Sequence, residues 1–423
     1  MYVLYSFLLF TYLLFYFPIY YVRVRFHKGE SLHLRQRLGL LLGETGLNRR
    51  SIWIHAVSVG EVLSLQNLIS EIKKHHPDWT INFSCLTNSG FHMAEQKLKG
   101  VDKIFFLPLD FKFVVKRFFR KIKPDVFVLA ESEFWPNLLR VAHERTRGVL
   151  LVNGRISSRS FRRYKNIRFL IKRVLLNITK FLVQTDSDRE KLLQIGVDSS
   201  LIEVAGNLKA EIDLPVLSQE DLTKIRNDLN IPETTKLVVA GSVRKGEEQA
   251  LLDAFLDAKK KNPDLLLILA PRHPDRADEV EAICHGYPFD VKRRTKIHRG
   301  SRWDVLILDT LGELARFYAL SDAAFVGGSL IPWGGHNLLE PAFYAKPLFF
   351  GPHMDNFAHL ADTFIHDGAA RVVETKKDLV NMLCMEDEKG LHEMGQRARL
   401  TLQSLRGATR RALQTIENLM SGP

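Results

Sequence analysis

The sequence predicts an α/β protein in which two Rossmann-like domains face a cleft, preceded by a membrane-anchor helix. Three observations predict it. The chain has 423 residues, enough for two or three domains of ordinary size. Short apolar runs alternate with amphipathic stretches in two blocks separated by a weaker region. The first twenty-two residues carry no charged side chain. A hydrophobic content of 46% with 26% charged residues excludes a disordered or low-complexity chain.

Residues 1–22 (MYVLYSFLLFTYLLFYFPIYYV) are long enough to cross the hydrocarbon core as one helix. Tyr2, Tyr5, Tyr20 and Tyr21 lie near its ends, where amphipathic rings settle among headgroups. Arg23, Arg25, His27, Lys28, Arg35 and Arg37 follow, and by the positive-inside rule they hold the rest in the cytoplasm. A cleaved signal peptide would need a basic start, a shorter apolar stretch and a small-x-small cleavage site. A buried core helix is the competing reading. The sequence therefore predicts an uncleaved transmembrane anchor over 1–22 and a basic connector over 23–50.

The first domain is expected over 51–207. Strands are expected at 51–58, 80–87, 103–109, 125–132, 148–155, 180–186 and 202–207, each apolar and bounded by turn-forming or polar residues. Between the first two, residues 61–76 place Val62, Leu65, Leu68, Ile69 and Ile72 on one helical stripe. An interdomain linker with a short helix is expected over 208–235, which carries two prolines. The second domain, 236–423, repeats the alternation with strands at 236–242, 265–271, 304–309, 323–329 and 347–352, then helices over 376–420. Strand–helix alternation means parallel sheets covered on both faces, with ligands beyond the carboxyl ends of the strands.

Cys85, Cys284 and Cys384 are far apart and join no Cys/His cluster. That excludes a disulfide framework and a cysteine zinc site, and fits a reducing compartment.

Chemistry concentrates at the strand ends. Ser58-Val-Gly-Glu61 sits where the first strand turns into a helix. Ser with Glu three residues on is the capping-box pattern. The same carboxylate can instead take a proton from an attacking hydroxyl, and the local sequence leaves both open. Glu131 and Glu133 end a buried strand, and their spacing puts them on one face of extended chain. Site and helix cap are equally open there, with Glu131 the better site candidate. Lys209 is either a solvated lysine or the neutraliser of a leaving phosphate. Arg272, in the proline-stiffened APRHP (270–274), can grip a phosphate in two places, whereas His273 reads as an ordinary loop histidine. Glu313, in DTLGEL (309–314), either binds a ligand or favours the helix dipole.

GGSLIPWGGHNLLEPA (327–342) is the strongest local feature. Its glycines are expected to open into a helix whose free N–H groups receive an anion, with Asn337 and Glu340 on one face of that helix. No GxxxxGK[ST] is present, and the glycines depart from GxGxxG.

The blocks SVGE (58–61), ESEFWPN (131–137), NGR (153–155), GNLK (206–209), APRHP, DTLGEL and FVGGSLIPWGGHNLLEP (325–341) occur in the order and spacing of one family. Over nearly its whole length the sequence resembles the bacterial 3-deoxy-D-manno-octulosonic acid (Kdo) transferases of lipopolysaccharide synthesis. The resemblance implies a glycosyltransferase of the B-type fold that needs no metal or other cofactor. It would move Kdo from CMP-Kdo to a phosphorylated lipid A precursor (lipid IVA), with inversion, at the cytoplasmic face of the inner membrane. Glu61 would be the proton acceptor, and Glu131 and Lys209 would stabilise the transition state. CMP contacts would fall on Pro271 and Arg272, on Leu311, Gly312 and Glu313, and on Asn337, Leu338, Leu339 and Glu340.

The sequence departs from the family at Ala130, at Leu308 before Asp309, and at Ser242-Val243-Arg244-Lys245. None of these removes a carried-over residue. The alternative is a membrane-associated UDP-sugar glycosyltransferase of cell-envelope synthesis; a membrane-tethered scaffold is the non-enzymatic one. How many Kdo residues are added rests on the acceptor site's shape, which the motifs do not encode.

The net charge of +12 is not evenly spread. Residues 1–210 hold 33 Lys+Arg against 17 Asp+Glu, while residues 211–423 hold 27 against 31. The basic half contains FKFVVKRFFRKIK (111–123) and RSFRRYKNIRFLIKR (159–173), where aromatic and basic residues interleave. With no nucleic-acid recognition motif beside them, these stretches read as a surface for anionic membrane lipids.

Overall fold

Fourteen parallel strands form two seven-stranded sheets in the computed structural model, which describes residues 1–23, 33–43, 50–212 and 214–422. The chain divides into two units, Met1–Glu211 with Leu405–Pro423, and Ile212–Ser404.

The first unit contains β1 Ser51–Ala56, β2 Thr80–Cys85, β3 Lys103–Phe106, β4 Val126–Ala130, β5 Gly148–Gly154, β6 Lys180–Val183 and β7 Ile202–Val204, in the order β3-β2-β1-β4-β5-β6-β7. β1, β2, β4 and β5 are buried along their whole length, as strands covered on both faces must be. Alternation sends neighbours to opposite cores. Trp53 packs with Phe119 and Phe127, at ring distances of 4.8 and 5.1 Å, while Ile52 and Ile54 join the core on the other face. The helix expected over 61–76 is two, Val59–Ser64 and Gln66–His75.

The second unit contains β8 Leu237–Val243, β9 Leu266–Pro271, β10 Val291–Arg293, β11 Val305–Ile307, β12 Ala323–Val326, β13 Leu348–Phe350 and β14 Ala370–Val372, in the order β10-β11-β9-β8-β12-β13-β14. In both sheets strand order reverses beside a central strand, with β1 between β2 and β4 and β8 between β9 and β12. Such a switch point leaves a crevice at the strands' carboxyl ends, where ligands bind.

Two boundaries differ from expectation. The helix Ala408–Ser421 belongs to the first unit, not with the 236–423 domain: Ala412, Ile416 and Met420 are buried in the core that holds Ile52, Ile54 and Ile69. The expected linker is mostly part of the second unit. Its helix Gln219–Asp228 is followed by buried Leu229 and Ile231, and Trp303 Nε1 donates to Leu229 O at 2.8 Å.

Residues 2–23 form one 22-residue helix, Tyr2–Arg23. Among the described residues no helix is long and apolar enough to cross a membrane. The side chains of the expected anchor beyond residue 15, and residues 24–32 and 44–49 of the expected connector, lie outside the described residues.

Candidate active site

Glu61, Glu131 and Lys209 come together at the switch point of the first unit. Glu61 enters from the β1 turn. Ser58 caps the helix Val59–Ser64, its hydroxyl accepting from Glu61 N at 3.4 Å. In return Ser58 Oγ donates to Glu61 Oε1 at 3.0 Å, and Val57 N donates to Oε2 at 2.9 Å. Ser58 thus caps the helix, but the reciprocal half of a capping box is absent, because Glu61 accepts from Val57 N in place of Ser58 N; the two donors fix a carboxylate that is only 7% exposed. Burial, reinforced by the nearby charge of Glu131, pushes Glu61 up to about 7, although the two donors pull the other way. A carboxylate with that affinity is suited to exchanging a proton near neutral pH.

Glu131 follows β4 with φ +57, a left-handed conformation that costs a non-glycine residue roughly 1–3 kcal/mol. The expected shared face with Glu133 is therefore absent, because β4 ends at Ala130 and the backbone turns sharply. Glu131 Oε1 lies 4.0 Å from Lys209 Nζ, whereas Glu133 accepts from Trp135 Nε1 at 3.1 Å. Burial also raises Glu133 above the usual carboxylate range.

Lys209 is delivered by a buried amide network. Leu208 N donates to Asn153 Oδ1 at 3.1 Å, Gln184 Nε2 to Asn153 O at 3.1 Å, Asn207 Nδ2 to Gln184 Oε1 at 3.0 Å, and Lys209 N to Asn207 Oδ1 at 2.9 Å. Asn153 also has a positive φ of +54, at the end of β5. Gly206 makes the entry to this turn possible, at φ +93 with Leu405 O so close that an added Cβ would lie 2.4 Å from it. Gly206→Ala is therefore expected to destabilise the protein by at least about 2 kcal/mol and to displace Lys209. Urea denaturation beside a transfer assay checks both. Sequence reasoning did not find Gln184 or the joining role of Asn153; only the NGR block pointed near them.

In the second unit the switch point gathers Arg244, Glu247, Arg272, His273, His336 and Glu340. Arg272 N donates to Val243 O at 2.9 Å, bringing the ends of β8 and β9 together, and its side chain is exposed. Arg244 Nε donates to His336 Nε2 at 3.1 Å and one of its terminal nitrogens to His273 Nε2 at 3.3 Å. Its guanidinium lies 4.1 Å from the Trp333 ring centre. Burial, then the charges of Arg244 and Arg272, lower His336 to about 4, so it stays neutral and accepts. Burial raises Glu340, tempered by a hydrogen bond from Asn337 and by the charge of Arg272. The signal for Arg244 lay in the sequence only as a departure at 242–245.

Two expectations about the glycine-rich segment are corrected. Its helix is Leu339–Phe343, five residues starting past Asn337, so Asn337 and Glu340 do not share a helix face. Asn337 Oδ1 instead accepts from Leu339 N at 3.1 Å. Nor are the N–H groups of residues 328–330, at the start of the segment, free for a ligand. Fully buried Glu247 accepts from Gly328 N at 2.6 Å, from Ser329 N and Leu330 N at 2.9 Å, and from Arg244 N at 2.8 Å. The anion at 328–330 is the protein's own carboxylate.

Pro271 is buried at the end of β9. Leu338 and Leu339 are buried, so only their backbone can meet a ligand. Leu311 is 81% exposed, and Gly312, at φ +81, has open space beside it. Glu313 accepts from Arg294 at 3.1 Å and from the Thr310 hydroxyl. Among the described residues no group of three or more His, Cys, Asp or Glu side chains is placed to hold a metal ion.

A carboxylate held near neutral affinity beside an ion-paired lysine, and a separate arginine–histidine cluster at a second switch point, define a two-unit α/β enzyme. The comparisons agree. Residues 32–212 match the family described as 3-deoxy-D-manno-octulosonic-acid transferase (kdotransferase). The chain is 32% identical over 343 residues to the 3-deoxy-D-manno-octulosonic acid transferase of Rickettsia felis, covering 80% of this chain and 72% of that protein. It is 34% identical over 348 residues to a bifunctional glycosyltransferase/methyltransferase of Fusobacterium nucleatum, covering 81% of this chain and 53% of that protein. It thus spans about half the length of the Fusobacterium relative. A solved UDP-GlcNAc 2-epimerase from Neisseria meningitidis, bound to UDP-GlcNAc, is 12% identical with a TM-score of 0.54, covering 87% of this chain and all of that one. That likeness is one of fold alone. The chain belongs to the 3-deoxy-D-manno-octulosonic acid transferase family.

Proposed function

We propose that this protein transfers Kdo from CMP-Kdo to a sugar hydroxyl of a phosphorylated lipid A precursor, lipid IVA, with inversion and with Glu61 as general base. The observation that carries the reading is Glu61 itself: buried, fixed by Val57 N and Ser58 Oγ, and raised to about 7. In the proposed step the acceptor oxygen bonds to the anomeric carbon of Kdo as the bond from that carbon to the CMP phosphate oxygen breaks. The bonding pair leaves with CMP, and the hydroxyl proton passes to a Glu61 oxygen. Lys209, held by the amide network, supports the developing charge, and Glu131 holds Lys209. Arg272 and Arg244 supply cationic donors for CMP, and Glu340 an acceptor for its ribose. Pro271, the 311–313 turn and Asn337–Glu340 complete that contact set on the family resemblance.

The acceptor reading rests further on the basic charge of residues 1–210 and on exposed Phe113 and Phe169 within the two basic stretches. On this reading the protein works at the cytoplasmic face of the inner membrane, held there by its first helix and by anionic headgroups. CMP is expected to raise the melting temperature and UDP at equal concentration to leave it unchanged, because specific binding to the folded state stabilises by mass action. Stabilisation by UDP and not CMP would favour a UDP-sugar transferase and sink the CMP assignment.

A further inference from the structure

The helix Tyr2–Arg23 is tied to the first unit by its amino-terminal end. Asn177 Nδ2 donates to the Tyr2 hydroxyl at 3.0 Å, Asn137 Nδ2 donates to Ser6 Oγ at 3.0 Å, and the Tyr5 hydroxyl bonds to Asp110. The Arg140 guanidinium lies 4.8 Å from the Tyr2 ring centre. Asp110 is buried and fixed by Asn137 N at 3.1 Å and Leu138 N at 2.7 Å, so Tyr5 meets a rigid partner. Exposure along the helix follows its period. Tyr2, Tyr5, Ser6, Leu9 and Leu13 are partly covered, and Val3, Leu4, Phe7, Leu8, Phe10 and Phe15 are exposed.

The chain just after the helix is tied to the same unit. His33 stacks on Phe106 at 4.3 Å, and Arg37 donates to Leu86 O at 2.6 Å. This decides whether the helix can cross a bilayer. If the amino-terminal end faces the far side, Tyr2, Tyr5 and Ser6 cannot reach Asn177, Asp110 and Asn137. If it faces the near side, the ten residue-to-residue steps from Arg23 to His33 must return through roughly 30 Å of hydrocarbon. They would do so almost fully extended, at about 3.4 Å per residue, carrying Arg25, Lys28 and Glu30. Extended, charged backbone is not stable in lipid.

We infer that the helix Tyr2–Arg23 does not span the membrane but lies along the first unit, with its exposed apolar stripe immersed in one leaflet of an anionic bilayer. The inference rests on the membrane placement proposed above and changes its mode from crossing to lying on. The neighbouring surface suits the same occupant. Phe169, Leu170 and Leu176 are exposed beside the Tyr2 docking site, and the Arg173 guanidinium lies 4.2 Å from the Phe169 ring centre. An apolar stripe flanked by cations is how an interfacial helix binds anionic lipid.

The test uses the full chain in native membranes, with an epitope before Met1 in one version of the gene and the pair Ser6→Cys/Asn137→Cys in another. Mild oxidation is expected to join the two introduced cysteines. Protease is expected to remove the epitope from inverted vesicles and not from intact spheroplasts. Removal in spheroplasts, or failure of the well-folded pair to join, would overturn the lying helix while leaving membrane placement intact. Recovery of the wild-type protein in the soluble fraction without detergent would overturn the membrane placement, and with it the immersed stripe.

Discussion

Glu61→Gln is expected to lower the turnover of Kdo transfer about 10²–10⁴-fold, the usual contribution of a positioned general base. The substitution separates two roles that share one side chain. The glutamine oxygen still accepts from Val57 N, and Ser58 Oγ rotates to accept from the new amide, so the cap at the helix Val59–Ser64 survives. Folding is not harmed either. A carboxyl raised from its ordinary range to about 7 contributes stability below its unfolded affinity and loses it as pH climbs through 7. The neutral amide does not suffer that loss, so at pH 8 the variant should melt no lower than the wild type. CMP should still raise its melting temperature, because the CMP contacts are assigned to the second unit. A Glu61→Gln protein with near-normal turnover would remove Glu61 from the chemistry and leave it a helix cap.

The largest stability effect is expected at Glu247. Its carboxylate accepts from four backbone N–H groups and is fully buried. Glu247→Gln turns one oxygen into a donor facing donors, leaving buried N–H groups unpaired. The expected cost is about 3–5 kcal/mol, or a fall in melting temperature of roughly 10 °C. Segment 328–330 should lose its fixed path, so the stabilisation given by CMP should vanish even at temperatures where the variant is folded. Differential scanning with and without CMP reads both effects. An unchanged melting temperature would mean that the loop is held by its glycines and not by Glu247.

The fold was legible wherever burial imposed a pattern. β1, β2, β4 and β5 are buried on both sides, and their near-continuous apolar runs announced them. β10 (Val-Lys-Arg) and β14 (Ala-Arg-Val) were not visible. They are three-residue edge strands with little buried face, so nothing in their composition separates them from loop. The helix Ala408–Ser421 was legible as a helix, but its stripe of Ala412, Ile416 and Met420 does not say which of two apolar cores it covers. Only the folded chain shows that.

The candidate site divides the same way. Lys209 by itself read as an ordinary solvated lysine, whereas Glu61 and Glu131 stood out as charges just past the carboxyl ends of buried strands. Their tuning did not, because it comes from contacts distant in sequence: Asn153 with Leu208, Gln184 with Asn207, Glu131 with Lys209. The first glycines of the glycine-rich segment serve a different anion from the one expected: the N–H groups of 328–330, after β12, meet Glu247 from another turn, well before the helix Leu339–Phe343.

The most direct measurement is kcat/KM for Kdo transfer from CMP-Kdo to lipid IVA between pH 5 and 9, since that ratio reports ionisation in the free enzyme. With Glu61 as base, the ratio should rise about tenfold per pH unit below 7, level off above it, and lose this limb in Glu61→Gln. A wild-type profile flat through 7, or the same limb persisting in Glu61→Gln, would contradict the account.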